Sequence, residues 1–211
     1  RDFCLSRGLG DVYKRQNKGS ALIHEMLHNL GARFNGRPRH IPAALDRNGT
    51  VVHALLSGTY AGGSMDEVMA RDYLAGRYWG AMDSNEEGFW NFETMNLKGE
   101  QKDCAVYLSF WLFSPRSLVN LLLEPNMPRL DLEFAADDKL AVYVNGNLLD
   151  NAVKRQDNPA LPQRIEGIPL EKGWNHVLLK VGQLWGGWNG RFRFTATDPA
   201  YMRQLESVIM Q

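Results

Sequence analysis

The alternation of apolar and polar positions is clearest between residues 104 and 198, where its period is two. In Cys104 to Phe113, the residues Cys104, Val106, Leu108, Phe110 and Leu112 point one way. Ala105, Tyr107, Ser109, Trp111 and Phe113 point the other. This run is apolar on both faces, which predicts a strand at the centre of a sheet. Leu140, Val142 and Val144 share one face of a second strand, and Ala141 and Tyr143 share the other. Asn145-Gly146 then offers the φ > 0 residues that a two-residue hairpin turn needs. Leu130–Phe134, Ile165–Leu170, Trp174–Val181 and Arg191–Thr197 read as further strands, with Val51–Leu56 before them. Turn signals at Asp137-Asp138, Lys172-Gly173, Gly186-Gly187 and Asn189-Gly190 separate these runs. Short strands at this spacing predict a mainly β fold, an antiparallel β-sandwich of the jelly-roll type.

A helical period is confined to the ends of the chain. Ala21, Leu22, Met26, Leu27 and Leu30 recur at helical spacing behind Ser20, a suitable N-cap. Asp198-Pro199 reads as the N-cap and first position of a final helix, Ala200 to Met210. Residues 37–49 read as an irregular connector holding Pro38, Pro42 and Gly49. The expected organisation is a helical remnant of an upstream domain plus connector over 17–49, the sandwich over 50–198 and a C-terminal helix over 199–211.

Residues 1–16 stand apart. Ser6 to Gln16 resembles, residue for residue, the translation of a transposase-type sequencing adapter. That resemblance implies a non-native tail and a gene recovered from microbial community sequencing, so the tail is set aside from the fold. The tail carries four of the 24 Lys and Arg and two of the 24 Asp and Glu, which leaves the rest at a net charge of −2. Such a balance offers no electrostatic footprint for nucleic acid. No stretch is apolar enough for a membrane span. Cys104 is the one cysteine outside the tail and reads as a small core residue.

Two constellations point to chemistry. His24-Glu25-Met26-Leu27-His28 is an H-E-x-x-H pattern on the N-terminal helix. Imidazoles at i and i+4 face one side and suit zinc, with Glu25 as general base on a metal-bound water. With Gly31 the stretch resembles a metzincin zinc helix. The third ligand of that pattern would fall on Phe34, which cannot coordinate, and leaves Asp46, Glu67, His40 and His53 as candidates. The alternative to a zinc metallopeptidase fragment is a helix whose histidines lie on a solvated face.

The second constellation lies in the strands. "AADDKLAVYVNG" followed by "PLEKGWNHVLLKV" is similar to the sugar-associated β-sandwiches of the PA14 and galactose-binding-like groups. The matching positions are Asp137, Asp138, Asn145 and Gly146, then Leu170, Gly173, Trp174, Asn175 and Leu178 to Val181. The resemblance implies a non-catalytic carbohydrate-binding module of a larger extracellular or cell-envelope protein, with a glycan and the upstream domain as partners. It also implies that Asp137 and Asp138 hold a calcium ion, since adjacent carboxylates suit that hard cation. The plainer reading is that the pair caps a turn. Trp79, Trp90, Trp185 and Trp188 lie in polar or Gly-rich stretches. Each either stacks on a sugar ring or packs inside the sandwich, and Trp185 and Trp188, flanking Gly186-Gly187, are the leading pair. Trp174 opens a strand and is expected in the core.

Overall fold

The computed structural model describes residues 42–61, 79–95, 97, 103–119, 127–149, 154–155, 163–184 and 186–209. The predicted N-terminal helix, with His24, Glu25 and His28, lies outside them, as do His40, Glu67 and Trp185.

The strands follow in chain order as β1 His53–Ser57, β2 Tyr60–Ala61, β3 Trp79–Asp83, β4 Phe89–Asn91, β5 Cys104–Ser114, β6 Leu130–Ala136 and β7 Lys139–Val144. Then come β8 Asn147–Leu148, β9 Lys154–Arg155, β10 Gln163–Ile165, β11 Gly173–Gln183 and β12 Asn189–Ala196. A short helix, α1 Pro199–Gln204, precedes the last strand, β13 Glu206–Val208. They form an antiparallel β-sandwich. The larger sheet runs β3-β1-β5-β11-β7-β8 with β2 and β13 also on β5 and β9 on β7, and the smaller runs β10-β6-β12-β4.

The period-two patterns decide the layers. Val106, Leu108, Phe110 and Leu112 of β5, Leu140, Val142 and Val144 of β7, and Val177, Leu179 and Val181 of β11 face Leu132, Phe134, Phe192 and Phe194 of the smaller sheet. The opposite parity of the same strands, Tyr107, Ala141, Tyr143 and Leu178, joins Tyr60 in a second buried layer on the other face of the larger sheet. β5 is central, as its two apolar faces predict: β11 pairs with it along its whole length. The Asn145-Gly146 turn also forms as predicted, with φ of 52° and 81° and β8 folded back on β7.

Two expected elements end differently. The strand expected through Leu170 stops at Ile165. Gly167 has φ 71° and its N–H donates to Asp131 Oδ1 at 3.0 Å, which turns the chain out of the ladder. Ile168 and Leu170 still reach the core. The C-terminal helix ends at Gln204 rather than Met210. Its start is as expected, since Asp198 caps Ala200 N–H at 2.8 Å ahead of Pro199. Beyond it, Leu205 is extended and Glu206–Val208 pairs with Trp111–Phe113 of β5. β1 bonds β5 only at Ser109 and Leu108, so this end of the central strand has backbone groups to satisfy. A helix continued to Met210 would leave them unpaired.

Gly49 fixes the entry to the sandwich. Its φ is 81°, and a Cβ there would lie 2.2 Å from the Phe194 carbonyl oxygen. Gly49→Ala is therefore expected to cost about 2–4 kcal/mol through backbone strain and clash, seen as a lower midpoint in urea denaturation.

Candidate functional site

The site is built where the chain crosses from one sheet to the other. β6 belongs to the smaller sheet and β7 to the larger, and Asp137-Asp138 is the whole connection between them. So short a crossing is pinned on both sides. Asp137 N–H donates to Asn189 O at 3.0 Å, and Asp138 N–H donates to Gly182 O at 3.2 Å. The peptide bond joining them is cis. Asp138 Oδ2 accepts the N–H of Leu184 at 2.6 Å, so the pair also fastens the β11–β12 loop.

Asp137 faces that loop. A Cβ built on Gly187 would sit 3.1 Å from Asp137 Oδ2, so the absent side chain leaves room beside the carboxylate. The Asp137 pKa is raised above its ordinary value, first by burial and then by the like charges of Asp138 and Glu93. Both charged groups acting on it are negative. Gln183, the last residue of β11, completes the surroundings. Its side chain continues the inward parity of Val177, Leu179 and Val181, and the residue is 4% exposed. Its Nε2 donates to Gly186 O at 3.0 Å, whereas its buried Oε1 has no hydrogen-bond partner. Gln183 stands between Gly182 and Leu184, the two residues whose backbone bonds Asp138.

Sequence reasoning named the two aspartates and missed Gln183, Glu93 and Gly187. The signal for Gln183 was present, as a polar residue at the next inward position of an apolar strand. Glu93 and Gly187 carry no such signal, because their nearness to Asp137 depends on how two loops meet.

The other expected site residues are dispersed. Asn145 lies at the far end of β7, roughly 20 Å from Asp138 at the rise of a strand. Its Oδ1 accepts His176 N–H at 3.0 Å and its Nδ2 donates to Asn175 Oδ1 at 2.9 Å. Asn175 is itself buried and bonded to Glu171 and Gly173. The Asn-Gly pair thus ties a turn to β11.

Trp188 is inside the sandwich, 1% exposed, with its ring 5.4 Å from Phe92. Phe92 in turn stacks on Trp90 at 6.5 Å, and Trp90 Nε1 donates to Val51 O. These rings form an aromatic floor at the end of the core from which the β11–β12 loop springs. Trp79 is half-buried against the second layer. Trp174, expected in the core, is buried beside Phe113, ring centres 5.4 Å apart. Among the other zinc-ligand candidates, Asp46 closes a turn on Asn48 and Thr50, and His53 pairs with Asp83 at 2.6 Å.

The crossing therefore carries two adjacent carboxylates, and the strand whose backbone bonds Asp138 carries Gln183, whose amide oxygen has no partner. Among the described residues no cluster of three His, Cys, Asp or Glu is gathered to hold a metal. A cation here would draw on amide and backbone oxygens as well as the aspartates. Calcium binds in that manner, with roughly six to eight oxygen ligands in irregular geometry. The donor set fits calcium, whose charge would offset the repulsion among the carboxylates.

A different polar group responds to pH. His176 Nε2 and Ser109 Oγ lie 2.8 Å apart, and the ring packs on Trp111. Burial lowers the His176 pKa to about 4. The unfolded chain binds this proton from about pH 6.5 downward and the fold only near 4. The histidine's contribution is fully present above about pH 6.5 and is lost as pH falls toward 4, about 2–3 kcal/mol in all. Urea midpoints are expected to fall across that window, and His176→Gln to flatten the fall.

No family model matches the chain, and no curated protein matches it. Several solved structures are similar to it. The β-glucosidase of Kluyveromyces marxianus, in complex with glucose, is 12% identical with a TM-score of 0.35. That alignment covers 71% of this chain, which spans only 16% of the enzyme's length. The PA14 domain of the antifreeze protein MpAFP is 10% identical over 75% of this chain and 92% of its own, with a TM-score of 0.40. The epithelial adhesin 9 A domain of Candida glabrata, in complex with Galb1-3GlcNAc, is 10% identical over 79% and 93%, with a TM-score of 0.38. Likenesses of this strength establish neither a family nor a ligand.

Proposed function

We propose that the sandwich is a non-catalytic carbohydrate-binding module of a larger extracellular protein, and that it holds glycan through calcium at Asp137 and Asp138. The observation that carries this reading is the adjacent Asp137-Asp138 pair at the crossing, bonded to the strand end that carries Gln183 and its orphaned Oε1. A buried acceptor without a partner costs about 1–3 kcal/mol, and an aspartate held among like charges adds to that cost. A bound cation would relieve both. Gly187, with no side chain, lets the loop backbone lie close to Asp137 Oδ2. The Asp-Asp and Asn-Gly motifs, with the "GWNHVLLKV" strand, point the same way by resemblance.

Within this reading Asp137, Asp138 and Gln183 hold the ion. When bound, calcium supplies positive charge and open positions for vicinal hydroxyls. The chain's own part is to place the oxygens. Asp138 is held by Leu184 N–H, Gln183 by Gly186 O, and the loop by the aromatic floor of Trp188 and Phe92. A site with few carboxylates is expected to bind calcium weakly, at the roughly 10⁻⁴–10⁻³ M of extracellular modules. Affinity electrophoresis through immobilised polysaccharides tests the reading. Retardation with calcium, abolished by chelator, is expected. Equal mobility in both conditions across a broad polysaccharide panel would overturn it.

A further inference from the structure

The outer faces of the two sheets are unlike. On the larger sheet that face carries the second buried layer, whereas the smaller sheet presents Glu133, Arg164, Arg191 and Arg193 to solvent. Phe192 and Phe194 of β12 enter the core, so Arg191 and Arg193 share the outward parity. Two positions apart on a strand, they lie roughly 7 Å from each other. The acids of this face are already answered. Arg164 bonds Glu133 and reaches Asp131 at 3.7 Å, and Arg129 bonds Asp131 at 2.9 Å and Glu166 at 3.2 Å. Glu133 stands opposite Arg193 in the ladder, yet its partner is Arg164 on the other side. Arg193 Nε instead donates to Asn48 O at 3.1 Å, and the Arg191 guanidinium lies 5.6 Å from the centre of the Phe89 ring. Neither guanidinium has an ion pair among the described residues. Both are therefore held in place by neutral groups, with no acid to neutralise them.

We infer that Arg191 and Arg193 form a subsite for the carboxylates of an acidic polysaccharide. The inference rests on the carbohydrate-binding reading for the class of ligand, and it needs no calcium. A guanidinium presents a planar fork of donors that matches a carboxylate with two parallel hydrogen bonds. Fixing the fork in advance removes part of the ordering cost of binding. Two forks side by side on one strand suit a ligand that carries acid groups at intervals, as a uronate polymer does. An exposed sheet face also admits an extended chain with no groove to enter. Ala135, opposite Arg191, lies two residues ahead of Asp137, so the subsite borders the crossing without drawing on its carboxylates.

Affinity electrophoresis of the full chain through polygalacturonate, with chelator present, tests this for the parent, Arg191→Gln, Arg193→Gln and Lys172→Gln. Lys172 is an exposed cation in the turn ahead of β11, a strand of the other sheet, and serves as the charge-matched control. The parent is expected to be retarded, with an affinity that falls as salt rises. Each arginine variant is expected to bind roughly two- to fivefold more weakly, and Lys172→Gln to match the parent. Both arginines are exposed, so their variants are expected to keep the parent's urea midpoint. An unretarded parent, no loss in either arginine variant, or an equal loss in Lys172→Gln would overturn the inference. Polyglutamate is run beside the polysaccharide. Equal retardation by it would assign the pair to acidic peptide and overturn the inference as well. With calcium absent throughout, a failure here leaves calcium-dependent retention on neutral glycan untouched, so the two readings fail separately.

Discussion

An Asp137→Asn variant is expected to lose calcium binding and, with it, calcium-dependent retention on glycan. The substitution keeps the shape of the side chain and removes one negative charge. In metal-free buffer the parent holds Asp137 among Asp138 and Glu93 with its pKa raised by burial and by those charges. The neutral amide relieves that repulsion, so the variant is expected to be as stable as the parent or slightly more so. Calcium should reverse the order. At about a hundred times its Kd a ligand adds about 2.7 kcal/mol to the parent and nothing to a variant that cannot bind it. Thermal melts with excess calcium and with chelator would show the two curves exchanging places. If the aspartates only capped a turn, calcium would move neither curve.

The second large effect lies under the loop. Trp188→Ala is expected to destabilise the fold by about 3–5 kcal/mol, the usual range for deleting a buried aromatic side chain. Trp188 is 1% exposed and packs on Phe92. Its loss hollows the floor from which Gly186 and Gly187 approach Asp137. Trp188→Phe keeps most of the ring contact and forfeits no hydrogen bond, since Trp188 Nε1 has none. It is expected to cost about 1–2 kcal/mol and to retain glycan binding. Urea denaturation with the retention assay on both variants checks this. Loss of binding in Trp188→Phe at near-parental stability would instead mean that the indole itself meets the ligand.

The architecture was legible because its main strands alternate cleanly. In β5, β7 and β11 the side-chain parity assigns every residue to one of two faces, and both faces are buried as the pattern requires. The Asn145-Gly146 turn was legible for a local reason, the backbone freedom of those two residues. What local patterns do not carry is which sheet a strand joins. Asp137-Asp138 reads as a turn between neighbouring strands, and it is a crossing between sheets. That difference places Asp138 against Leu184 and Gly182 and carries Asn145 away to the opposite end of β7. Trp188 misleads for a related reason. Flanked by glycines and asparagine it looks exposed, but Phe92 N–H bonds its carbonyl and the ring turns inward. The last strand is a third case, since the unpaired end of β5 competes for Glu206–Val208 against a helix-compatible sequence.

The most direct test of the calcium site is a calorimetric titration of calcium into the metal-stripped full chain, repeated with Gln183→Leu. A single saturable site in the parent, weakened at least tenfold when the amide oxygen is removed, is the expected result. An unresponsive parent would contradict a calcium site at the crossing and leave Asp137-Asp138 as the structural link between the two sheets.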